Sequence, residues 1–172
     1  MDKLIIEPGI GIGTIKFGMD KEEVEECIQE YKRKYNKDNL TTNFFKNSIH
    51  VKYDSYEKVN FIEISSNLQD VFECVVINID VFKTKVVELV EKIYKISKYD
   101  RDDRELGWTY DFPELGLLFW RPNVLTEEDL EKDWFKELDP EIKEDEMRNL
   151  FFESVCIRYK GPTKSENYKV RP

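Results

Sequence analysis

Twice along this chain an apolar stripe at helical spacing gives way to apolar alternation at a spacing of two. That recurrence limits the fold more than any other feature. Val24, Cys27, Ile28, Tyr31 and Tyr35 repeat at the α-helical period with lysines and glutamates on the other face, which predicts a helix over about Lys21–Lys34. NKDNLTTN then breaks the pattern, and from Phe44 the period becomes two. Ile49, Val51 and Tyr53 make one strand, Val59 to Ser65 the next after the turn DSYEK, and Val71 to Ile79 a third. Phe82, Val86, Leu89, Val90 and Ile93 form a second helical stripe, and GWTYDF, LGLLFW and LFFESVCIRYK read as three further strands. A shift of 62 residues carries Val24, Cys27, Ile28 and Tyr31 onto Val86, Leu89, Val90 and Ile93. The expected class is α+β: two tandem α-β-β-β units, about 10–79 and 80–160, forming antiparallel sheet with helices packed on one side. Residues 1–160 are expected to form a single domain, and residues 161–172, with no apolar period, a flexible tail.

The run from Gly9 to Ile28, GIGIGTIKFGMDKEEVEECI, raises the question of a phosphate-binding loop. Gly13 and Gly18 have the glycine spacing, but Met19 and Asp20 stand where lysine and a hydroxyl residue would neutralise phosphate and reach magnesium. The dinucleotide pattern G-x-G-x-x-G is missing as well. Ile10, Ile12 and Ile15–Phe17 instead fit a short strand loosened by glycine, and Gly18 releases the chain into a turn. Asp20 then caps the first helix with Glu23 as its reciprocal partner, while Met19 and Val24 occupy the two positions of a hydrophobic staple.

Other chemistry is sparse. Cys27, Cys74 and Cys156 are widely spaced within apolar periods, as buried reduced thiols would be. His50, the single histidine, alternates against Ile49, Val51 and Tyr53 and is expected to face solvent on a strand. Neither a zinc constellation nor a histidine-activated nucleophile is expected from one histidine, and no spacing marks two carboxylates as an acid/base pair. No catalytic residue, metal or cofactor is therefore assigned, and no enzyme activity is expected. No apolar run approaches the ~20 residues of a membrane span, and MDKLIIEPG lacks the core of a signal peptide, so the expected location is the cytoplasm. A net charge of −9 argues against nucleic acid and anionic membranes as partners and suits a basic protein.

That charge is concentrated. Asn123 to Asn149 interrupts the second unit with eleven acidic and four basic residues, a net −7. Thr126 and Asp129 form another capping box with Leu125 and Leu130 at the staple positions, and Leu130, Trp134 and Leu138 follow at intervals of four. Pro140 stands at the first position of a second short helix. The segment is expected to be a helical hairpin or bent helix docked by the Leu130–Trp134–Leu138 stripe. It serves either as an acidic plug for a basic cleft or as a solvated helix face, the latter favoured by the pairs Glu128–Lys132 and Asp133–Lys136. The residues assigned to partner binding are Glu128, Asp129, Asp133, Glu141, Glu144 and Asp145. Trp108 and Trp120 join them as aromatic anchors, although Trp108, Tyr110 and Phe112, sharing one face of their strand, also suit core packing.

The segment IKFGMDKEEVEECI resembles the helix-entry motif G-M-[ST]-x-x-E-V of the superfamily of β-lactamase inhibitor proteins and small outer-membrane assembly lipoproteins, with Asp20 in place of the hydroxyl residue. The two-unit layout is similar to that of the inhibitor proteins, without their secretion signal or paired cysteines. The chain also resembles the short acidic immunity proteins that bacteria encode beside polymorphic toxins. These resemblances imply a cytoplasmic inhibitor that binds a toxin domain. An adaptor or structural interaction module is the alternative, and a small-ligand binder or enzyme using carboxylates, tyrosines or His50 a third.

Overall fold

The computed structural model describes residues 1–35 and 43–161, and the chain opens with a strand. β1 (Asp2–Glu7) turns Leu4 and Ile6 into the core, a strand the alternation in so short a segment did not predict. The glycine run is a hairpin, β2 (Gly11–Ile12) against β3 (Ile15–Lys16), rather than one loosened strand. Two of its glycines are required by close approach. A Cβ on Gly11 would overlap the Ile15 carbonyl oxygen, and one on Gly13, at φ +56°, would overlap the Tyr31 hydroxyl. That hydroxyl accepts the Thr14 N–H at 2.9 Å, so the hairpin is tied down onto the first helix.

α1 (Lys21–Lys34) begins as expected. Asp20 accepts the N–H groups of Glu22 and Glu23 at 3.1 and 3.0 Å, and Glu23 returns the contact by accepting Asp20 N–H at 2.8 Å. Val24, Cys27, Ile28 and Tyr31 are buried, and Met19 packs against the same core. The expected break over residues 36–42 lies outside the described residues, as does the expected tail beyond Gly161. Phe44 starts a short helix, α2 (Phe44–Ser48), instead of extending the next strand. β4 (Ile49–Tyr53) and β5 (Val59–Ser65) then form the expected antiparallel pair.

The third strand differs in two ways from its expectation. It splits at Ile77 and Asn78, both at positive φ (49° and 63°), into β6 (Phe72–Val76) and β7 (Ile79–Asp80), a tight two-residue hairpin. β6 also pairs in parallel with β1, Leu4 opposite Cys74, and so leaves β4 and β5 altogether. Asp80 Oδ1 accepts the N–H groups of Phe82 and Lys83, each at 3.1 Å, which holds Phe82 in a turn and delays α3 to Val86–Tyr94. β8 (Thr109–Phe112), β9 (Leu117–Trp120) and β10 (Ser154–Arg158) complete the strands.

The class is α+β as expected, but the strands sort into two sheets, ordered β3-β2-β1-β6-β7 and β4-β5-β10-β9-β8. Ile64, Val155 and Phe119 lie in register on the inner face of the second sheet, and with Leu4, Ile6, Phe72, Leu89 and Ile93 they enter one core. Cys27, Cys74 and Cys156 are buried free thiols. Burial pushes Cys74 and Cys156 up to about 12, far from the thiolate form. Among the described residues no helix is long and apolar enough to cross a membrane.

Candidate protein-binding surface

β9 delivers the chain to the acidic segment through Arg121, and this residue decides how the segment is held. Arg121 is only 3% exposed, yet no carboxylate pairs with it among the described residues. Three backbone carbonyls take that place. Nε donates to Gly107 O at 2.8 Å, and Nη1 donates to Leu125 O at 3.1 Å and Asn149 O at 2.7 Å. Leu125 and Asn149 are the two roots of the excursion, so one guanidinium closes it at its base. Burial pulls the Arg121 pKa below the usual guanidinium value.

Within that clasp Leu125, Phe135 and Leu150 make a small second core, joined by Leu130 and Leu138. The residue that docks is thus Phe135, not Trp134. The cause is helical continuity: only four residues, α4 (Asp133–Lys136), are helical here, preceded by a 3-10 turn over Asp129–Glu131. Without one continuous helix Trp134, four residues on from Leu130, no longer points inward, although Leu130 and Leu138 both reach the small core. Trp134 stands 47% exposed, its ring edge against Phe135 at 5.6 Å. α5 (Pro140–Met147) starts at Pro140 as expected and buries none of its residues.

The predicted binding residues divide. Asp129 is a structural carboxylate: Oδ2 accepts the Thr126 N–H and hydroxyl at 2.8 and 2.7 Å, and Lys132 lies 2.6 Å from Oδ1. The Lys132 ammonium first, and Thr126 second, hold its carboxyl down to about 2. Asp145 pairs with Arg148 at 3.4 Å. The expected pairs Glu128–Lys132 and Asp133–Lys136 are replaced by Lys132–Asp129 and Lys136–Glu131, and Lys143 donates to the Lys136 carbonyl at 2.6 Å. All four basic residues of the segment are thereby used within it. Glu128, Asp133, Glu137, Asp139, Glu141 and Glu144 remain exposed with no ion pair among the described residues.

Trp120 and Trp108 are not neighbours on one face. Trp120 lies opposite Thr109 in the β8–β9 ladder, so strand alternation turns Trp108 to the other side, that of Tyr110 and Phe112. Phe112 is fully buried and Tyr110 packs on the core, whereas Trp108 is 45% exposed beyond it. Trp120, 38% exposed, belongs to the outer face of the second sheet with His50, Lys52, Phe61, Glu63 and Leu118, none of which joins the core. His50 is exposed as expected, its Nδ1 3.7 Å from Glu63. Ser154 gives its hydroxyl proton to Glu63 at 2.8 Å, so the carboxylate, not the histidine, is its acceptor. No group of three or more metal-binding side chains occurs among the described residues.

Sequence reasoning missed Arg121 because a lone arginine at a strand end looks like any surface cation. The acidic count after it was the available signal, since an excursion of that charge needs an anchor at its base. No family model, curated protein or solved structure matches this chain.

Proposed function

We propose that the chain is an inhibitor of the immunity type, acting in the cytoplasm by binding a basic toxin domain through residues 123–149. The observation that carries this reading is the unpaired charge on a pinned scaffold. Six exposed carboxylates, Glu128 through Glu144, form no ion pair among the described residues, while Arg121 and Phe135 hold the segment in place. Carboxylates in such an array repel one another and gain when a cationic surface approaches, which speeds encounter. Trp134, half-exposed among them, supplies the aromatic contact that such interfaces use as an anchor. The resemblance of the helix entry and acidic character to inhibitor and immunity proteins agrees with this reading.

An adaptor for another basic protein would use the same surface, so survival separates the two readings. Proteins encoded beside this chain's gene that carry a small basic domain are each expressed with and without this chain. Protection by the wild type, lost in a variant with Glu128, Asp133 and Glu141 changed to lysine, is the expected result. Unprotected cells despite normal levels of folded protein would refute the inhibitor reading.

A further inference from the structure

α3 begins without a cap. Lys85 is its N-cap residue and offers no side-chain acceptor, and the N–H groups of Val86, Val87 and Glu88 have no acceptor among the described residues. Asp80, the nearest preceding carboxylate in the chain, is committed to Phe82 and Lys83. The helix start lines a cavity of about 420 Å³ together with Leu125, Leu150 and Phe151. Arg121 lines the same cavity. Its hydrogen bonds use Nε and Nη1, and Nη2 has no acceptor among the described residues, on a side chain that is almost wholly buried.

The carboxylates around this cavity are all occupied. Glu127 is paired with Lys85, Glu88 with Lys92 at 2.6 Å, and Glu91 with Lys95 at 3.9 Å. Lys83 and Arg121 are the cavity's charges left without a counter-ion among the described residues. An uncapped helix N-terminus, a buried guanidinium with a free edge and a lysine without an ion pair among the described residues therefore converge on a space whose apolar lining is Val86, Val87, Leu125, Leu150 and Phe151, beside Thr126 and the lysine-paired glutamates.

We infer that this cavity binds a carboxylate carried on an apolar body, the anion meeting Arg121 and the start of α3 and the hydrocarbon lying against the valine, leucine and phenylalanine walls. A single negative charge fits better than phosphate, because Glu88, Glu91 and Glu127, each already held by a lysine, line the same cavity and would repel a second charge. The ligand would sit between α3 and the root of the acidic segment and tie one to the other.

The test uses octanoate as probe, with octanol and inorganic phosphate as controls, titrated into the full chain by calorimetry. Octanoate is expected to bind, with octanol and phosphate each at least tenfold weaker. Arg121 also holds the segment's roots, so the variants are placed at exposed positions instead. Val87→Asp sets a carboxylate in the first turn of α3, where it should raise Tm and abolish octanoate binding. Lys83→Glu should weaken octanoate binding severalfold with Tm unchanged. Absence of octanoate binding, equal binding of octanol, stronger binding of phosphate, or affinity unchanged in both variants would each overturn the inference.

Discussion

Replacing Arg121 by methionine keeps much of the side chain's volume and removes its charge and every donor. Gly107, Leu125 and Asn149 then lose a charge-assisted bond each, worth about 1.5–3 kcal/mol apiece before offsets. Against that loss, burying a guanidinium without a carboxylate costs several kcal/mol, which methionine avoids. Carbonyls stranded in a closed site recover part of their hydration only if the segment lifts away, so the net cost should be about 3–5 kcal/mol. Urea unfolding followed by tryptophan fluorescence measures this value, and hydrogen exchange shows where the loss falls. Protection should drop across residues 123–149 while the sheet core stays protected, because Leu125 and Asn149 are held by the same Nη1. A loss below about 1 kcal/mol, with unchanged exchange over 123–149, would refute the clasp.

Phe135→Ala should cost about 3 kcal/mol or more, since the ring is buried between Leu125 and Leu150, whereas Trp134→Ala should leave urea stability within about 0.5 kcal/mol and weaken partner binding; the reverse order would restore the sequence-based stripe. Asp129 has a depressed folded-state pKa, so its contribution is fully present above the ordinary carboxylate value of about 4 and is lost as pH falls through about 2. An NMR titration should therefore give Asp129 a midpoint well below the ordinary carboxylate value of about 4, and a midpoint at that value would dissolve its structural role. Gly13→Ala adds left-handed strain to an overlap with the Tyr31 hydroxyl and should cost about 2–5 kcal/mol in urea unfolding, where a neutral result would show that the hairpin does not press on α1.

The parts of this fold set by neighbours in sequence were readable before the structure. Asp20 and Glu23 announce α1 because a capping box needs only four residues, and the alternation of β4, β5, β8 and β9 is local in the same sense. Pairing across the chain was not readable. That Leu4 lies beside Cys74, in parallel, is a contact between segments far apart in the chain, and no period in the sequence encodes it. Ile77 at positive φ was hidden for a related reason, because a β-branched residue is a poor signal for a turn that usually takes asparagine or glycine. In the acidic segment the charge count was visible, but its partition was not. Asp129 differs from Glu128 only through the reach of Thr126 and Lys132 in a 3-10 turn, and Phe135 displaced Trp134 because that turn broke the helical interval.

The central claim is that free carboxylates on a fixed scaffold steer a basic partner. Its most direct test is the association rate with the basic protein that the protection assay identifies, measured at low and high salt for the wild type and for the Glu128→Lys, Asp133→Lys, Glu141→Lys variant. Screening shortens to roughly 8 Å at physiological ionic strength, so wild-type association should slow markedly with salt while dissociation changes little. The variant should associate slowly at both ionic strengths and keep its Tm. An association rate indifferent to salt and to the charge reversal would contradict the account and move the binding face to Trp120 and the open side of the second sheet.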